Sequence, residues 1–133
     1  MIRPIATELR AAVDDEAPRD ERARVAAAMI LEAGDYGGVG IYDVGDELAT
    51  VIGSKGVLPQ NQRDVPIAQG LDGEAVRTRA AVAGDTEAIV PILGAESGIV
   101  IGMLAVEGKH GALSKDEIGF LEDCAAALRP LYD

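Results

Sequence analysis

The sequence has few residues that could perform redox, metal or covalent chemistry. It holds one cysteine and one histidine in 133 residues, so it can form no internal disulfide and cannot supply the nitrogen and sulfur ligands of a zinc site. It has no tryptophan and one phenylalanine, so its core must be built from aliphatic side chains. The sequence predicts no metal and no cofactor, and the lack of a disulfide suits a cytoplasmic protein.

Positive charge is also scarce. The 12 lysines and arginines face 23 aspartates and glutamates, a formal net charge of -11. Nucleic acids and anionic membranes would be repelled by such a surface, so we expect neither as a partner. The longest strongly apolar run, residues 99–106, is broken by Gly102 and is too short to cross a bilayer. Residues 1–4 contain no apolar region typical of a signal peptide.

What the sequence does have is aliphatic content. Apolar residues make up 48% of the chain, which is enough for one core in a chain of this length. We therefore predict one domain over residues 1–133, in which residues 1–20 form an N-terminal helix and a connection to the rest.

Four segments have the composition or the 3.6-residue apolar period of helices. Gly34 follows the second as a left-handed cap, Asp72 is a plausible N-cap for the third, and Ser114 with Glu117 forms a capping box before the fourth. Pro130 ends the last helix. The predicted helices cover residues 5–13, 21–33, 71–79 and 116–128.

Short apolar runs separated by turn residues predict five strands. Gly45-Asp46 makes a hairpin turn between the first two, Pro66 marks an edge strand, and Glu96-Ser-Gly98 turns between the last two. Short connections favour a mostly antiparallel sheet. We predict an α+β fold with five to six strands, helices on one face, and residues 54–85 as a loop and short-helix lid on the other. The predicted strands cover residues 39–44, 48–52, 64–67, 88–93 and 99–106.

The order of these elements and a series of local motifs resemble a GAF domain, a small-molecule sensing fold related to PAS domains. The resemblance extends from about Glu21 to the end of the chain. The motifs are Gly38-Val-Gly-Ile-Tyr42, Asp46-Glu-Leu48, Val65-Pro-Ile67, Gly70-Leu-Asp-Gly-Glu-Ala75, Glu87-Ala-Ile-Val-Pro-Ile92 and Gly102-Met-Leu-Ala-Val-Glu107.

Within that family the chain looks most like free methionine-R-sulfoxide reductases, whose chemistry needs a reactive thiolate near the pocket. The cysteines of those enzymes lie in segments that correspond to residues 53–69 and 80–86, which contain none here. Cys124 falls on the apolar stripe of the last helix, which is typical of a structural thiol. We therefore predict that the chain is not an enzyme, and keep a degenerate reductase dependent on Cys124 as the minor alternative.

The same resemblance implies a ligand pocket. Tyr42 matches the tyrosine that closes the first-strand motif, Glu87 the acid before the strand proline, and Glu107 an acid of the last strand. Two departures are Gly38, where the family has tryptophan, and Ala105, where it has an acid. Asp85 and Thr86 add oxygen atoms beside Glu87. Each residue also has a plain structural reading: Tyr42 as a core filler, and the others as solvated strand ends.

Two functional hypotheses follow. The first is a sensory, signal-transducing domain that binds an unknown small molecule through Tyr42, Glu87 and Glu107. The second is an interaction module that has lost its ligand. The helices over 21–33 and 116–128 carry apolar faces wider than one sheet needs, so under either hypothesis we expect a homodimer through them.

Overall fold

The computed structural model describes residues 4–57, 64–68, 70–94 and 98–132. Along these residues, two helices are followed by three strands, a third helix, three more strands and a fourth helix, and a short 3₁₀ helix over Arg129–Tyr132 comes last. The helices are α1 (Ala6–Val13), α2 (Arg19–Gly34), α3 (Gly70–Thr78) and α4 (Lys115–Ala127). The strands are β1 (Gly38–Val44), β2 (Leu48–Gly56), β3 (Asp64–Pro66), β4 (Val82–Ala83), β5 (Glu87–Leu93) and β6 (Val100–Glu107).

The strands form one sheet in the order β3-β2-β1-β6-β5-β4, and every neighbouring pair is antiparallel. The α+β class and the antiparallel sheet predicted from the sequence are confirmed. Pro66 lies on the edge strand β3, where the lack of an N–H costs no hydrogen bond of the ladder. The central strands β1 and β6 pair from Gly38 opposite Glu107 to Asp43 opposite Gly102.

One face of the sheet, which we call the helix face, packs against α2 and α4. Alternate residues of the central strands, such as Val39, Ile41 and Leu104, point to this side and are fully buried. Helix α1 packs against both α2 and α4, and its Leu9 and Val13 are fully buried there. Alanines on α2 let the helix lie close to the sheet, which explains the Ala-rich composition of that segment.

The other face, which we call the second face, carries a smaller apolar cluster. It includes Tyr42, Ile89 and Met103 from the sheet and Ala75 from α3, all of them buried. Helix α3 therefore covers this face, as predicted for the short helix of the lid. Residues 58–63 and 69 of the predicted lid lie outside the described residues, as do Glu96 and Ser97 of the predicted turn.

The cap of α2 differs from the prediction by one residue. Gly34 is the last helical residue, and Asp35 takes the left-handed conformation with φ of 54°. A Cβ atom on Gly34 would lie 2.1 Å from Cε2 of the buried Tyr36 ring. Glycine is therefore needed at Gly34 for packing, and aspartate is among the residues that tolerate the left-handed position.

Two further differences concern element ends. Helix α3 begins at Gly70, so Asp72 lies inside its first turn instead of capping it. Helix α4 has the predicted capping box, in which the Glu117 N–H donates to Ser114 Oγ at 3.2 Å. It ends at Ala127, three residues before Pro130, because the chain tightens into the 3₁₀ helix.

Candidate ligand-binding site

The second face brings two of the predicted acids together. Glu87 on β5 and Glu107 on β6 are direct partners across the antiparallel pair, so their side chains leave the same face of the sheet. The pKa of Glu87 is raised from its ordinary value of 4.5, first by burial and then by the negative charges of Glu107, Asp72 and Asp85. Neither Glu87 nor Glu107 forms an ion pair with a residue in the described part of the chain.

Thr86 and Asp85 complete this end of the site. The Thr86 hydroxyl donates a 2.7 Å hydrogen bond to Oε1 of Glu107, and its backbone oxygen accepts a bond from the N–H of Gly108. These bonds hold the start of β5 against the end of β6. Asp85 is exposed and acts on the site through its charge.

Tyr42 lies at the other end of the same face. Its partner on β6 is Met103, four residues before Glu107, which separates their positions by about 13 Å along the strand. The ring is 3% exposed. Burial and the charge of Asp72 raise the pKa of Tyr42 to about 12, so the hydroxyl keeps its proton at neutral pH.

Asp72 connects the two ends, and sequence reasoning missed it. It is 5% exposed and is the buried charged side chain of the described residues. It lies on α3, and its charge acts on both Tyr42 and Glu87. The i, i+3 spacing of Asp72 and Ala75 puts both on one side of the helix, but the sequence does not say that this side faces the sheet.

Gly38 occupies the position where the family motif has tryptophan. A Cβ atom there would lie 2.0 Å from the carbonyl oxygen of Val57, because the chain leaving β2 crosses β1 at this point. The N–H of Val57 donates to Gly37 O at 3.0 Å and holds this crossing. Backbone therefore fills the space beside Glu107 that a large ring would need.

Cys124 lies on the helix face, in a different cluster from Tyr42. It is 1% exposed and unpaired. Burial, and to a smaller extent the charge of Asp123, raise the pKa of its thiol to about 12. His110, in contrast, is exposed, and its Nε2 atom lies 3.3 Å from Oδ2 of Asp35. The two residues do not form a cysteine–histidine pair.

No helix of the described residues is long and apolar enough to span a bilayer. Likewise, no group of three or more metal-binding side chains occurs among those residues. The candidate site consists of Tyr42 on β1, Glu107 on β6, Glu87 on β5 and Asp72 on α3.

A curled antiparallel sheet with helices on one face and α3 over the other is the GAF fold, and the chain has that fold. A GAF domain of a phosphoenolpyruvate-protein phosphotransferase from Acinetobacter superposes with a TM-score of 0.78 at 16% identity, over 95% of this chain and 89% of that one. A putative GAF sensor protein from Burkholderia vietnamiensis gives 0.79 at 20% identity, over 93% and 83%. The predicted GAF resemblance is confirmed at the level of fold.

Enzymes share the same fold. A free methionine-R-sulfoxide reductase from Neisseria meningitidis, solved in complex with its substrate, superposes with a TM-score of 0.81 at 22% identity, over 96% of this chain and 86% of that one. No protein-family model matches the sequence. No curated protein matches it either.

The prediction that the chain is not an enzyme is overturned by these comparisons. Several free methionine-R-sulfoxide reductases have the same backbone arrangement, so the fold gives no ground for excluding catalysis. The prediction rested on two segments that lack cysteine. A shared fold does not require reactive groups at the same positions, because function depends on the site and not on the architecture.

Proposed function

We propose that the chain binds a small molecule with a positively charged group, such as an amine, between α3 and the second face of the sheet. The observation that carries the proposal is the pairing of Glu87 with Glu107 across β5 and β6, on the face of the sheet that α3 covers. Carboxylates placed close together repel one another, and this repulsion contributes to the raised pKa of Glu87. A ligand ammonium group among these carboxylates would offset their repulsion.

The two ends of the site suggest how such a ligand would be oriented. Glu87 and Glu107 supply negative charge without an ion-pair partner among the described residues. Leu71 and Val82, which are partly buried and pack against the apolar cluster of the second face, supply apolar surface. A ligand with an ammonium group at one end and an uncharged chain at the other would match both parts.

The reductases of the same fold supply a first probe. Free methionine-R-sulfoxide carries an ammonium group, a carboxylate and a short uncharged side chain, and N-acetylated methionine sulfoxide keeps the carboxylate but lacks the positive charge. We expect the free amino acid to raise the melting temperature and to bind in calorimetry, and the acetylated compound to do neither. If neither this compound nor a panel of other small amines binds, the proposal is wrong.

Matched variants locate the binding. Glu87→Gln removes one charge from the acidic end of the site, and we expect affinity for an amine to fall by about tenfold, the usual effect of losing one charge-assisted hydrogen bond. Glu74→Gln removes a charge from the exposed side of α3 and should leave affinity unchanged. Equal losses in both variants would indicate a general charge effect instead of a site. The same samples can be assayed for consumption of the sulfoxide with an added thiol.

We also propose a regulatory role. A ligand that contacts Asp72 would fix the position of α3, and a protein that binds α3 could then distinguish the bound from the free state. The test is binding of the ligand measured with and without such a partner. An affinity that does not change when the partner is present contradicts a sensory role.

The homodimer through α2 and α4 stays a proposal. Part of the apolar surface that suggested it is covered by α1, whose Leu9 and Val13 are fully buried. Val25 on α2 remains 48% exposed and is the residue we would place at the contact. Light scattering at high micromolar concentration should show a dimer that Val25→Asp weakens, and a monomer for the native chain would refute the pairing.

A further inference from the structure

A groove outside the candidate site runs between the end of β5 and helix α4. It has a volume of about 210 Å³. Its apolar lining includes Val90, Ile92 and Ala125, all nearly fully buried. Two arginines, Arg79 and Arg129, lie at the same groove. Paired cations beside apolar surface are unusual in a chain whose net charge is -11.

Arg129, which lines this groove, has a donor without a partner. Its Nε atom is buried and has no hydrogen-bond partner in the structure, which covers residues 4–132 with three gaps. Buried donors of this kind are nearly always satisfied. Other arginines of the chain meet this rule: Arg19 bonds to Asp43 and Leu131 O, and Arg22 bonds to the carbonyl oxygens of Ala17 and Val13. The Arg129 guanidinium is therefore not held through Nε by any acceptor among the described residues.

Arg79 is held in an unfavourable backbone conformation. It follows the last residue of α3 with φ of 57°, and its N–H donates to Ala75 O at 2.9 Å. Glycine is the usual residue at such a helix end, because a side chain is strained there. The Arg79 side chain forms no ion pair with any described residue. An arginine where glycine would fit better indicates that the guanidinium itself is needed.

We propose that this groove binds a small monocarboxylate with a short aliphatic chain. The two guanidinium groups provide donors for one carboxylate, and Pro91, Leu93 and Ala126, which are at least partly exposed, provide surface for the chain. The groove is small, which favours a ligand of a few carbons. Glu122 also lines the groove and would repel a second negative charge, so phosphate and dicarboxylates fit less well.

The neighbouring strand argues against a peptide in the groove. β4 pairs only with Ala88 and Ile89 of β5, which leaves the following residues of β5 without a described partner on that edge. Pro91 lies in this stretch and has no N–H to offer. Proline at a strand edge opposes the addition of another strand, so a small molecule is the better occupant.

Butyrate tests the proposal, with butyramide as its uncharged analogue and sodium chloride at equal ionic strength. We expect butyrate alone to raise the melting temperature and to shift backbone resonances of residues 90–93 and 125–129 in a saturable way. Identical effects of chloride or of butyramide would overturn the proposal, and so would the absence of any saturable shift.

Two substitutions separate binding from folding. Arg79→Gly removes the guanidinium and also relieves the left-handed strain, so the variant should be at least as stable as the native chain while its affinity for butyrate falls by about tenfold. Arg77→Gln removes a charge from the exposed side of the same helix and should bind butyrate within about twofold of the native chain. Unchanged affinity in Arg79→Gly, or equal losses in both variants, would show that the groove is not the site.

Discussion

The hydroxyl of Tyr132 donates a 2.6 Å hydrogen bond to the backbone oxygen of Tyr42, and so ties the end of the chain to the strand that carries a candidate site residue. The Tyr132 ring lies on Gly102 of β6, where a Cβ atom would come 2.3 Å from it. Arg19 extends this contact, with its guanidinium 5.2 Å from the ring centre and a 2.9 Å bond from Nη1 to Asp43 Oδ2. The N-terminus of α2, the end of β1 and the 3₁₀ helix are thereby joined.

Replacing Tyr132 with phenylalanine tests the contribution of that hydrogen bond. The ring, its packing on Gly102 and its stacking with Arg19 are retained, so only the bond to Tyr42 O is lost. We expect the free energy of unfolding to fall by about 1 kcal/mol, measured by urea denaturation. Affinity at the candidate site should be little changed, since the Tyr42 side chain lies on the second face and Tyr132 packs on the helix face. A native unfolding midpoint in this variant would mean that the bond contributes nothing.

The charge of Glu87 should oppose folding at neutral pH. A carboxyl group whose pKa is raised by folding contributes stability below the pKa of the unfolded chain, and this contribution is lost as the pH rises through the folded pKa. Glu87→Gln should therefore be more stable than the native chain at pH 7, and the difference should vanish below about pH 4. Urea unfolding at both values measures it. Glu74→Gln is the control, and an equal gain from it would assign the effect to net charge.

Much of the sheet was predictable because strand periodicity decides which side chains are buried. Val39 and Ile41 point to the helix face and Tyr42 points to the second face. The alternation of side chains along a strand predicts this from the sequence. The strand β4 was missed because two residues, Val82 and Ala83, are too few to show a period. Its assignment depends on pairing with β5, which is a tertiary contact that the local sequence does not encode.

The candidate site was predictable only where the motif positions of a known fold supplied it. Glu87 and Glu107 came from that resemblance, and the register that places them opposite each other came from the structure. The sequence around Asp72 predicts a helix cap, because an acid at the start of a helix has the same sequence pattern whether it caps the helix or is buried. The difference is the tilt of α3 over the sheet, which no local pattern reports.

Cys124 offers a direct measure of how often the helix face opens. It is the single cysteine of the chain, so thiol labelling reports on it alone. Because the thiol is 1% exposed and its pKa is about 12, we expect Ellman's reagent to react far more slowly with the native protein at about pH 8 than with the urea-unfolded chain. Free cysteine at the same pH is the reference. Labelling of the native protein at the reference rate would contradict the placement of α4.

Two glycines at helical positions should respond to alanine in opposite ways. Gly119 lies inside α4, and no atom of its surroundings comes within 4 Å of the point where a Cβ would sit. Gly119→Ala should therefore raise the free energy of unfolding by about 0.5–1 kcal/mol through helix propensity alone.

Gly34 ends α2 against the Tyr36 ring, so Gly34→Ala should lower the free energy of unfolding by about 1–3 kcal/mol, the usual cost of an overpacked core. Because alanine favours helix at both sites, a gain at Gly34 would show that Tyr36 does not pack where the structure places it. Pairing Gly34→Ala with Tyr36→Leu separates the causes: with the ring gone, the alanine should no longer carry its penalty.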